Sequence, residues 1–177
     1  DQLAALRYTP LAVDLYDGKT ANAPKDAYQL STNLSNNEAR ALANLQEAYD
    51  YLKNEIGAEK IGIIGWCLGG KWSLKASLML PTEIDASVIY YGSLTDDKER
   101  LETLEMPIIG FVGTKDRLHK QFIQFDEDLK GLNKEASIHF YEGAKHAFAN
   151  ASGGAYESNA AEDSWKKTVD FLDKHLN

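Results

Sequence analysis

The sequence alternates short runs rich in Ile and Val with longer segments that have the period of an amphipathic helix. The apolar runs predict strands at residues 11–15, 61–64, 86–91, 107–112 and 136–141. The helical period predicts helices over residues 37–56, 71–80, 120–132 and 157–176. Apolar strands that alternate with helices are typical of a parallel sheet covered on both faces. We therefore expect an α/β fold, a three-layer sandwich around a mostly parallel sheet.

The chain has no internal repeat and no low-complexity tract that would separate domains. Residues 19–35 are rich in Asn, Ser, Thr and Pro, which predicts a loop between the first strand and the first helix. The 177 residues are 44% hydrophobic, which is sufficient for one core. We expect a single domain over residues 1–177.

Charge and cysteine content exclude several classes of protein. The formal net charge is −8, so we expect repulsion from nucleic acid and from anionic lipid, and neither as a partner. One cysteine excludes an internal disulfide and a small secreted scaffold. No apolar run approaches the roughly 18 residues of a membrane span, and the first residues do not resemble a signal peptide. These features favour a cytoplasmic protein.

The one cysteine lies where a parallel sheet places its chemistry, directly after a predicted strand and directly before a helix. Residues 65–70 read Gly-Trp-Cys-Leu-Gly-Gly, the form of a nucleophile elbow with Cys67 in place of the usual serine. Glycines two positions before and after the nucleophile are expected to relieve clashes in this sharp turn. The backbone N–H of Leu68 is expected to face a developing oxyanion. The alternative, a buried structural cysteine beside a packing turn, fits this strand-to-helix context less well.

Two further candidates also follow strands. Asp116 comes directly after residues 107–112, where an N-cap for the next helix is the alternative interpretation. His146 follows residues 136–141, where a merely solvated loop histidine is the alternative. Together with Cys67 they have the chain order nucleophile, acid, histidine of α/β-hydrolase triads. In these roles His146 takes the thiol proton and later activates water, Asp116 fixes its tautomer and Cys67 attacks a carbonyl.

The other histidines are weaker candidates. His139 lies inside a predicted strand, and His175 lies in the last turn of the final helix, where a cation suits the helix dipole. His119 and Asp116 are three residues apart, but no second group of ligands accompanies them. We therefore expect no metal site.

These motifs resemble those of the dienelactone hydrolase (carboxymethylenebutenolidase) family. The resemblance covers nearly the whole chain, and it is carried by residues 14–16 (Asp-Leu-Tyr), 65–70, 90–92 (Tyr-Tyr-Gly), 113–116 (Gly-Thr-Lys-Asp) and 141–148 (Tyr-Glu-Gly-Ala-Lys-His-Ala-Phe). It implies the α/β-hydrolase fold, hydrolysis of small esters or lactones through an acyl-enzyme, and no cofactor. By residue match it implies a triad of Cys67, Asp116 and His146, with the Leu68 N–H as one oxyanion donor.

The chain also departs from the family pattern. Family members begin with strands upstream of Asp1, which supply the second oxyanion donor and a glutamate that holds the resting cysteine, so we expect the domain to be N-terminally incomplete. Members that cleave dienelactone carry an arginine where this chain has Asn150, and no arginine lies between Arg7 and Arg40 to supply a second carboxylate contact. We therefore expect a less charged ester or lactone. The expected pocket-lining residues are Tyr28, Trp66, Tyr91 and Phe148.

The prediction is a hydrolase of small-molecule esters or lactones that acts as a monomer or a small homo-oligomer. The alternative is a catalytically weak or inactive chain that keeps the same fold as a binding or interaction module. The two differ in one measurable property, because only the enzyme needs a stabilised thiolate at Cys67.

Overall fold

The computed structural model describes residues 2–177. The chain divides into two compact units, Asp1–Ala58 and Glu59–Asn177. Each unit is described by itself below, and the single domain over residues 1–177 stays a prediction. No helix among residues 2–177 has both the length and the apolar character needed to cross a membrane.

The second unit is built around a four-stranded sheet in which every neighbouring pair of strands is parallel, in the order β1-β2-β3-β4. The four strands predicted in this part of the sequence are confirmed, with ends shifted by at most two residues. The three helices predicted there are confirmed too, with ends shifted by at most three residues. The elements in chain order are β1 (Gly62–Trp66), α4 (Leu68–Met79), β2 (Ala86–Tyr90), α5 (Lys98–Glu102), β3 (Ile108–Gly113), α6 (His119–Gly131), β4 (Ala136–Tyr141) and α7 (Ser158–Leu176).

Helices cover both faces of this sheet, because alternate side chains of a strand point in opposite directions. On one face, the hydroxyl of Ser87 in β2 lies 2.8 Å from the hydroxyl of Ser77 in α4. On the other face, the hydroxyl of Tyr90 lies 2.7 Å from that of Thr168 in α7. The sheet is therefore sandwiched between α4 and α7.

Helix α6 shares the α4 face. Gly110 of β3 is in register with Ile89 of β2, and a side chain at position 110 would meet Phe122 of α6. Ile89 and Phe122 are both wholly buried. Burial on both faces explains why β2 and β3 do not alternate between apolar and polar residues and why Ser87, the one polar residue of β2 apart from Tyr90, is hydrogen-bonded. The predicted α/β class and three-layer arrangement are confirmed for this unit.

The first unit is helical, with α1 (Gln2–Ala5), α2 (Pro24–Asn36), α3 (Glu38–Asp50) and a π-helical turn at Tyr51–Glu55. The helix predicted over residues 37–56 is confirmed as α3 with its π-helical extension. Its predicted stop at Gly57 is confirmed too, since this residue has a φ of +75°, which favours glycine.

The strand predicted at residues 11–15 is wrong for the described chain, because these residues form no ladder there. The segment instead ends in a turn held by local hydrogen bonds. The side-chain carboxylate of Asp14 accepts hydrogen bonds from the N–H groups of Tyr16 and Gly18. The backbone carbonyl of Asp14 accepts a further bond of 2.6 Å from Asn44 Nδ2 in α3. An apolar run becomes a strand only when a neighbouring strand takes its backbone groups, and a sequence pattern does not identify that neighbour.

The loop predicted over residues 19–35 is also wrong, because most of it forms α2. Pro24 occupies the first turn, where its missing N–H removes no helical bond, and Asp26 complements the positive end of the helix. The hydroxyls of Ser31 and Thr32 donate to the carbonyl of Tyr28 within the helix. Residue types that are common in loops are thus accommodated by local side-chain bonds.

Candidate active site

Cys67 occupies the single residue between β1 and α4. Its φ of +55° and ψ of −113° lie outside the regions that non-glycine residues prefer. Its N–H donates a 3.0 Å bond to the carbonyl of Tyr90 at the end of β2. The side chain remains exposed. The predicted strand–turn–helix context of the cysteine is confirmed, and the strained backbone is of the kind found at functional sites.

The glycines around the turn differ in what they do. A Cβ built on Gly65 would lie 2.1 Å from the carbonyl oxygen of Gly69, which is backbone and cannot move aside cheaply. A Cβ on Gly69 would meet nothing within 4 Å. Glycine is therefore required at position 65 but not at position 69, whereas the sequence predicted the requirement at both positions. Gly70 and Gly92 form a second backbone contact of the same kind, with a Cβ on Gly92 only 2.4 Å from Gly70.

Asp116 lies in the loop after β3 with its side chain wholly buried. One carboxylate oxygen, Oδ1, accepts a 2.9 Å bond from the N–H of Leu118. Helix α6 begins at His119, its N-cap is Leu118, and no side chain caps it, so Asp116 is not the N-cap that was the alternative interpretation. The other oxygen, Oδ2, lies 2.8 Å from His146 Nδ1.

His146 connects this carboxylate to the cysteine. Its Nε2 lies 3.1 Å from Cys67 Sγ, so the three side chains form a continuous hydrogen-bonded series. Both ring nitrogens have a partner within the protein, so His146 is not the merely solvated histidine of the alternative interpretation. The structure thus brings together the three residues that the sequence singled out from three separate strand ends.

The electrostatics of the series favour a charge-separated pair. Hydrogen bonding to His146 is the main cause that lowers the pKa of the Cys67 thiol, opposed by partial burial and aided by the charges of His146 and Arg117 and by the Leu68 N–H. Hydrogen bonding to Cys67 and then to Asp116 raises the pKa of His146. Opposite shifts of the two groups extend the pH range in which thiolate and imidazolium coexist.

A cavity of about 310 Å³ opens beside the cysteine. It is lined by Trp66, Cys67, Tyr91, Ala147, Ala149 and Asn150. Three of these residues have a positive φ although none is glycine, namely Cys67 (+55°), Tyr91 (+35°) and Ala147 (+63°). Backbone strain is therefore concentrated around the cavity, where the surrounding packing holds it.

The aromatic residues predicted to bind substrate occupy different places. Trp66 and Tyr91 line the cavity, and the Tyr91 ring packs edge-on to His146 with 5.2 Å between centroids. Phe148 does not line the cavity, because it is wholly buried beneath Tyr91 and 5.1 Å from the ring of Tyr141. Its position gives it a packing role. Tyr28 belongs to the first unit and is 74% exposed, so its predicted role in substrate binding stays a prediction.

The sequence singled out Asn150 only as the position where members that cleave dienelactone carry an arginine, and it assigned no role to Arg117. Asn150 lines the cavity, four residues after His146 in the same loop, and Arg117 directly follows Asp116. Their proximity in sequence to two candidate residues was the available signal. Polar residues in loops are so common that this signal is weak without coordinates.

The remaining histidines lie away from this series. His139 stacks on Phe111, with 5.5 Å between ring centroids, and shares a 2.9 Å hydrogen bond with Ser137. His175 packs 4.7 Å from the ring of Phe171, and His119 packs 5.5 Å from that of Phe140. Residues 2–177 contain no group of three His, Cys, Asp or Glu side chains arranged to hold a metal ion.

Comparison with known proteins places the chain among hydrolases of one family. The model of the dienelactone hydrolase family matches residues 1–176. Protein usf of Aquifex pyrophilus is 31% identical over 186 residues, which cover 99% of this chain and 79% of that protein. Carboxymethylenebutenolidase of Pseudomonas putida is 28% identical over 134 residues, which cover 74% of this chain and 56% of that enzyme.

Solved structures that superpose on this chain share its fold. The dienelactone hydrolase-like promiscuous phosphotriesterase from metagenomic libraries superposes with a TM-score of 0.87 over 99% of this chain and 78% of that chain, at 18% identity. This likeness shows the α/β-hydrolase fold that the sequence predicted. Because the family model matches the chain almost from end to end, the chain belongs to the dienelactone hydrolase family.

Proposed function

We propose that this chain is a cysteine-dependent hydrolase of small esters or lactones. The observation that carries the proposal is the continuous series from Asp116 through His146 to Cys67, with heavy-atom distances of 2.8 and 3.1 Å. Both distances are within the reach that proton transfer requires. Membership of a hydrolase family supports the reaction class, and the Pseudomonas relative is named as a carboxymethylenebutenolidase.

The first half of the proposed reaction acylates the cysteine. The Cys67 thiolate attacks the carbonyl carbon of the ester, and the tetrahedral intermediate carries its negative charge on the former carbonyl oxygen. The imidazolium of His146 then gives its proton to the departing alkoxide oxygen as the C–O bond breaks. The acyl group remains on Cys67 as a thioester. For a lactone, the leaving alcohol stays attached to the acyl group.

The second half hydrolyses the thioester. His146, now neutral, takes a proton from water, and the resulting hydroxide attacks the thioester carbonyl. The C–S bond breaks, which releases the acid and regenerates the thiolate and imidazolium pair. The proposed steps use no metal and no cofactor.

Asp116 is proposed to orient His146 and to stabilise its charged form. Its buried Oδ2 holds Nδ1, which leaves Nε2 directed at the sulfur. The second oxygen is held by the N–H of Leu118, so the carboxylate has little freedom to rotate. A fixed, buried acceptor of this kind selects one tautomer of the imidazole.

The backbone N–H of Leu68 is proposed as one oxyanion donor. Leu68 is the first residue of α4, so its N–H has no partner within the helix. The Leu68 N–H is also among the groups that lower the pKa of the Cys67 thiol, which supports a role for it beside the sulfur. Preorganised donors near a reacting carbonyl stabilise the developing charge. Trp66 and Tyr91 are proposed to contact the apolar part of a small substrate.

The pH dependence follows from the two shifted groups. The lowered pKa of Cys67 predicts that the nucleophile stays ionised below the ordinary range of a thiol, so activity falls only when pH drops through this lowered value. The raised pKa of His146 predicts that its proton is lost only as pH rises through the raised value. A bell-shaped profile of kcat/KM with a broad plateau is expected.

A direct test combines turnover with labelling. The protein and its Cys67→Ala variant are assayed with p-nitrophenyl acetate and a simple lactone, and we expect turnover only with the cysteine present. Because the sequence has one cysteine, iodoacetamide labelling reports on Cys67 alone. Labelling below neutral pH should be faster than that of a free thiol, and His146→Gln should remove the difference.

The two measurements separate the proposal from its alternative. Equal turnover by the protein and Cys67→Ala would contradict the proposed nucleophile. A binding module that keeps the fold without the chemistry predicts no turnover and labelling no faster than a free thiol. A cytoplasmic location stays a prediction that cell fractionation tests. A monomer or small homo-oligomer stays a prediction that sedimentation tests.

A further inference from the structure

β4 is an edge strand that forms a ladder, within residues 2–177, with β3 alone. The carbonyl of Glu135 accepts a 2.9 Å bond from the N–H of Ile108 in β3. The carbonyl of Tyr141 accepts a bond of the same length from the N–H of Thr114, which follows β3. Since successive residues of a strand point their backbone groups to opposite sides, the odd-numbered residues of β4 bond β3. The backbone groups of the even-numbered residues therefore point outward, and these residues are Ala136, Ile138 and Phe140.

The outward side of β4 lacks the features that usually keep an edge strand unpaired. Its backbone N–H and C=O groups have no hydrogen-bond partner in the described chain. Residues 136–141 contain no Lys, Arg, Asp, Glu or Pro, and the register with β3 runs without a bulge. The ring of His139 stacks on Phe111, and burial lowers its pKa, so it adds no positive charge near neutral pH. An edge of this kind is a template for another strand.

The α6 side of this edge is apolar and exposed. Phe140 is 37% exposed, and Ile123 of α6 is 39% exposed. His119, one helical turn before Ile123, packs its ring edge-on to Phe140 with 5.5 Å between centroids. The side chain of Ile138 lies on the same face of the sheet, because a Cβ on Gly110 would meet its Cδ1 at 2.8 Å. Exposed hydrophobic side chains thus lie beside unpaired backbone groups.

β4 is complementary to an antiparallel copy of itself. Pairing about a two-fold axis at Ile138 places this residue opposite its own copy and places Ala136 opposite Phe140. Only this register pairs all three outward residues of each strand with one another. The same register places Lys134 opposite Glu142 of the second copy, twice by symmetry. Small side chains therefore face large ones, and positive charges face negative ones.

These flanking charges matter because the chain has a formal net charge of −8, which opposes self-association in general. A contact between two copies therefore needs local attraction. Lys134 donates to the carbonyl of Glu102, which leaves two of its three ammonium hydrogens available. Glu142 is exposed and forms no ion pair within residues 2–177. Both groups are thus available to a second copy.

We propose that two copies of this chain pair through β4 in antiparallel orientation, which joins their sheets into one continuous sheet. The partner is a second copy because the one register that bonds every outward residue also matches size and charge. This inference is independent of the proposed hydrolase function, since none of the residues from which the Asp116, His146 and Cys67 series is built lies in β4.

Sedimentation equilibrium measures this pairing, and reversal of the flanking charges tests its register. We expect a reversible monomer–dimer equilibrium in the wild-type protein. Glu142→Lys sets two lysines against each other at both symmetric positions and should raise the dimer Kd about tenfold. Adding Lys134→Glu restores opposite charges and should restore the wild-type Kd. Phe140→Lys places a charge within the strand itself and should leave only monomer.

Glu83→Lys is the matched control for net charge, because Glu83 is exposed and lies outside β4. It changes the net charge by the same amount as Glu142→Lys and should not weaken the dimer. Thermal unfolding followed by circular dichroism establishes that each variant is folded.

Cross-linking tests the two-fold axis at Ile138. In the Cys67→Ala background, Ile138→Cys and Ser137→Cys each supply one cysteine. In the proposed dimer the two Cα atoms of residue 138 lie about 5.5 Å apart, within disulfide range, whereas those of residue 137 lie about 8 Å apart. We expect oxidised glutathione to link Ile138→Cys into a dimer and to leave Ser137→Cys unlinked, although Ser137 is the more exposed residue.

The opposite results would overturn the inference. Wild-type protein that sediments only as a monomer would exclude the dimer. A dimer whose Kd is the same in Glu142→Lys and in Phe140→Lys would place the contact elsewhere on the chain. Faster cross-linking of Ser137→Cys than of Ile138→Cys would exclude the antiparallel register.

Discussion

Replacing either of two glycines in the cysteine turn by alanine is expected to have opposite effects on the free energy of unfolding. In Gly65→Ala, the added Cβ would lie 2.1 Å from the carbonyl oxygen and 2.2 Å from the carbonyl carbon of Gly69. Real contacts of this kind require at least about 3 Å, so the turn must open by roughly 1 Å. In Gly69→Ala, the added Cβ has nothing within 4 Å.

The magnitudes follow from these distances. Overpacking of this size is expected to lower the free energy of unfolding of Gly65→Ala by about 1 to 3 kcal/mol. Because Cys67 sits in the same turn, opening it should also separate Sγ from His146 Nε2, now 3.1 Å apart, and lower kcat/KM about 100-fold. Gly69→Ala should raise the free energy of unfolding by up to about 1 kcal/mol, since alanine is the better helix former.

Urea denaturation followed by circular dichroism measures the stability of both variants, and iodoacetamide labelling at pH 6 measures whether Cys67 still has its partner. We expect slower labelling in Gly65→Ala and unchanged labelling in Gly69→Ala. Equal stability and equal labelling in the two variants would refute the steric reasoning. Destabilisation of Gly69→Ala alone would show that the turn has a different geometry.

Substitutions at three other positions test separate features of the second unit. Measured in urea, Phe148→Leu should lower the free energy of unfolding by less than about 1.5 kcal/mol, and Phe148→Ala by about 3 to 5 kcal/mol. Because Phe148 packs beneath the site, the KM of the leucine variant should stay within twofold of the wild-type value. The side-chain amide of Gln121 makes two hydrogen bonds to the backbone of Leu94, of 2.9 and 3.0 Å. Gln121→Ala should therefore lower the free energy of unfolding by about 1 to 3 kcal/mol. An unchanged urea midpoint would show that these bonds contribute nothing to stability. Asp116→Asn should lower kcat of p-nitrophenyl acetate hydrolysis by about 1,000-fold or more, because the amide no longer selects the tautomer of His146, and a loss below tenfold would contradict that role.

The sequence predicted the second unit well because its signals are local. β2 and β3 are largely apolar, and each is buried on both faces. The order Cys67, Asp116, His146 was informative because parallel strands bring their carboxyl ends to one edge of a sheet. No contact between distant residues had to be known in advance.

The errors came from properties that depend on partners. Residues 11–15 have the composition of a strand, but a strand exists only with a ladder beside it. Phe148 lies two residues from His146, and nothing in the pattern indicates that its ring points into the core instead of the cavity.

The proposed reaction passes through a covalent intermediate on Cys67, and this intermediate can be trapped. The protein is mixed with p-nitrophenyl acetate, quenched in acid within milliseconds and examined by intact-protein and peptide mass spectrometry. We expect one added acetyl group, located on the peptide that contains Cys67, formed at the rate of the p-nitrophenol burst and absent from Cys67→Ala. Turnover at an undiminished rate in Cys67→Ala, or an acetyl group that forms on another residue at the rate of the burst, would contradict it.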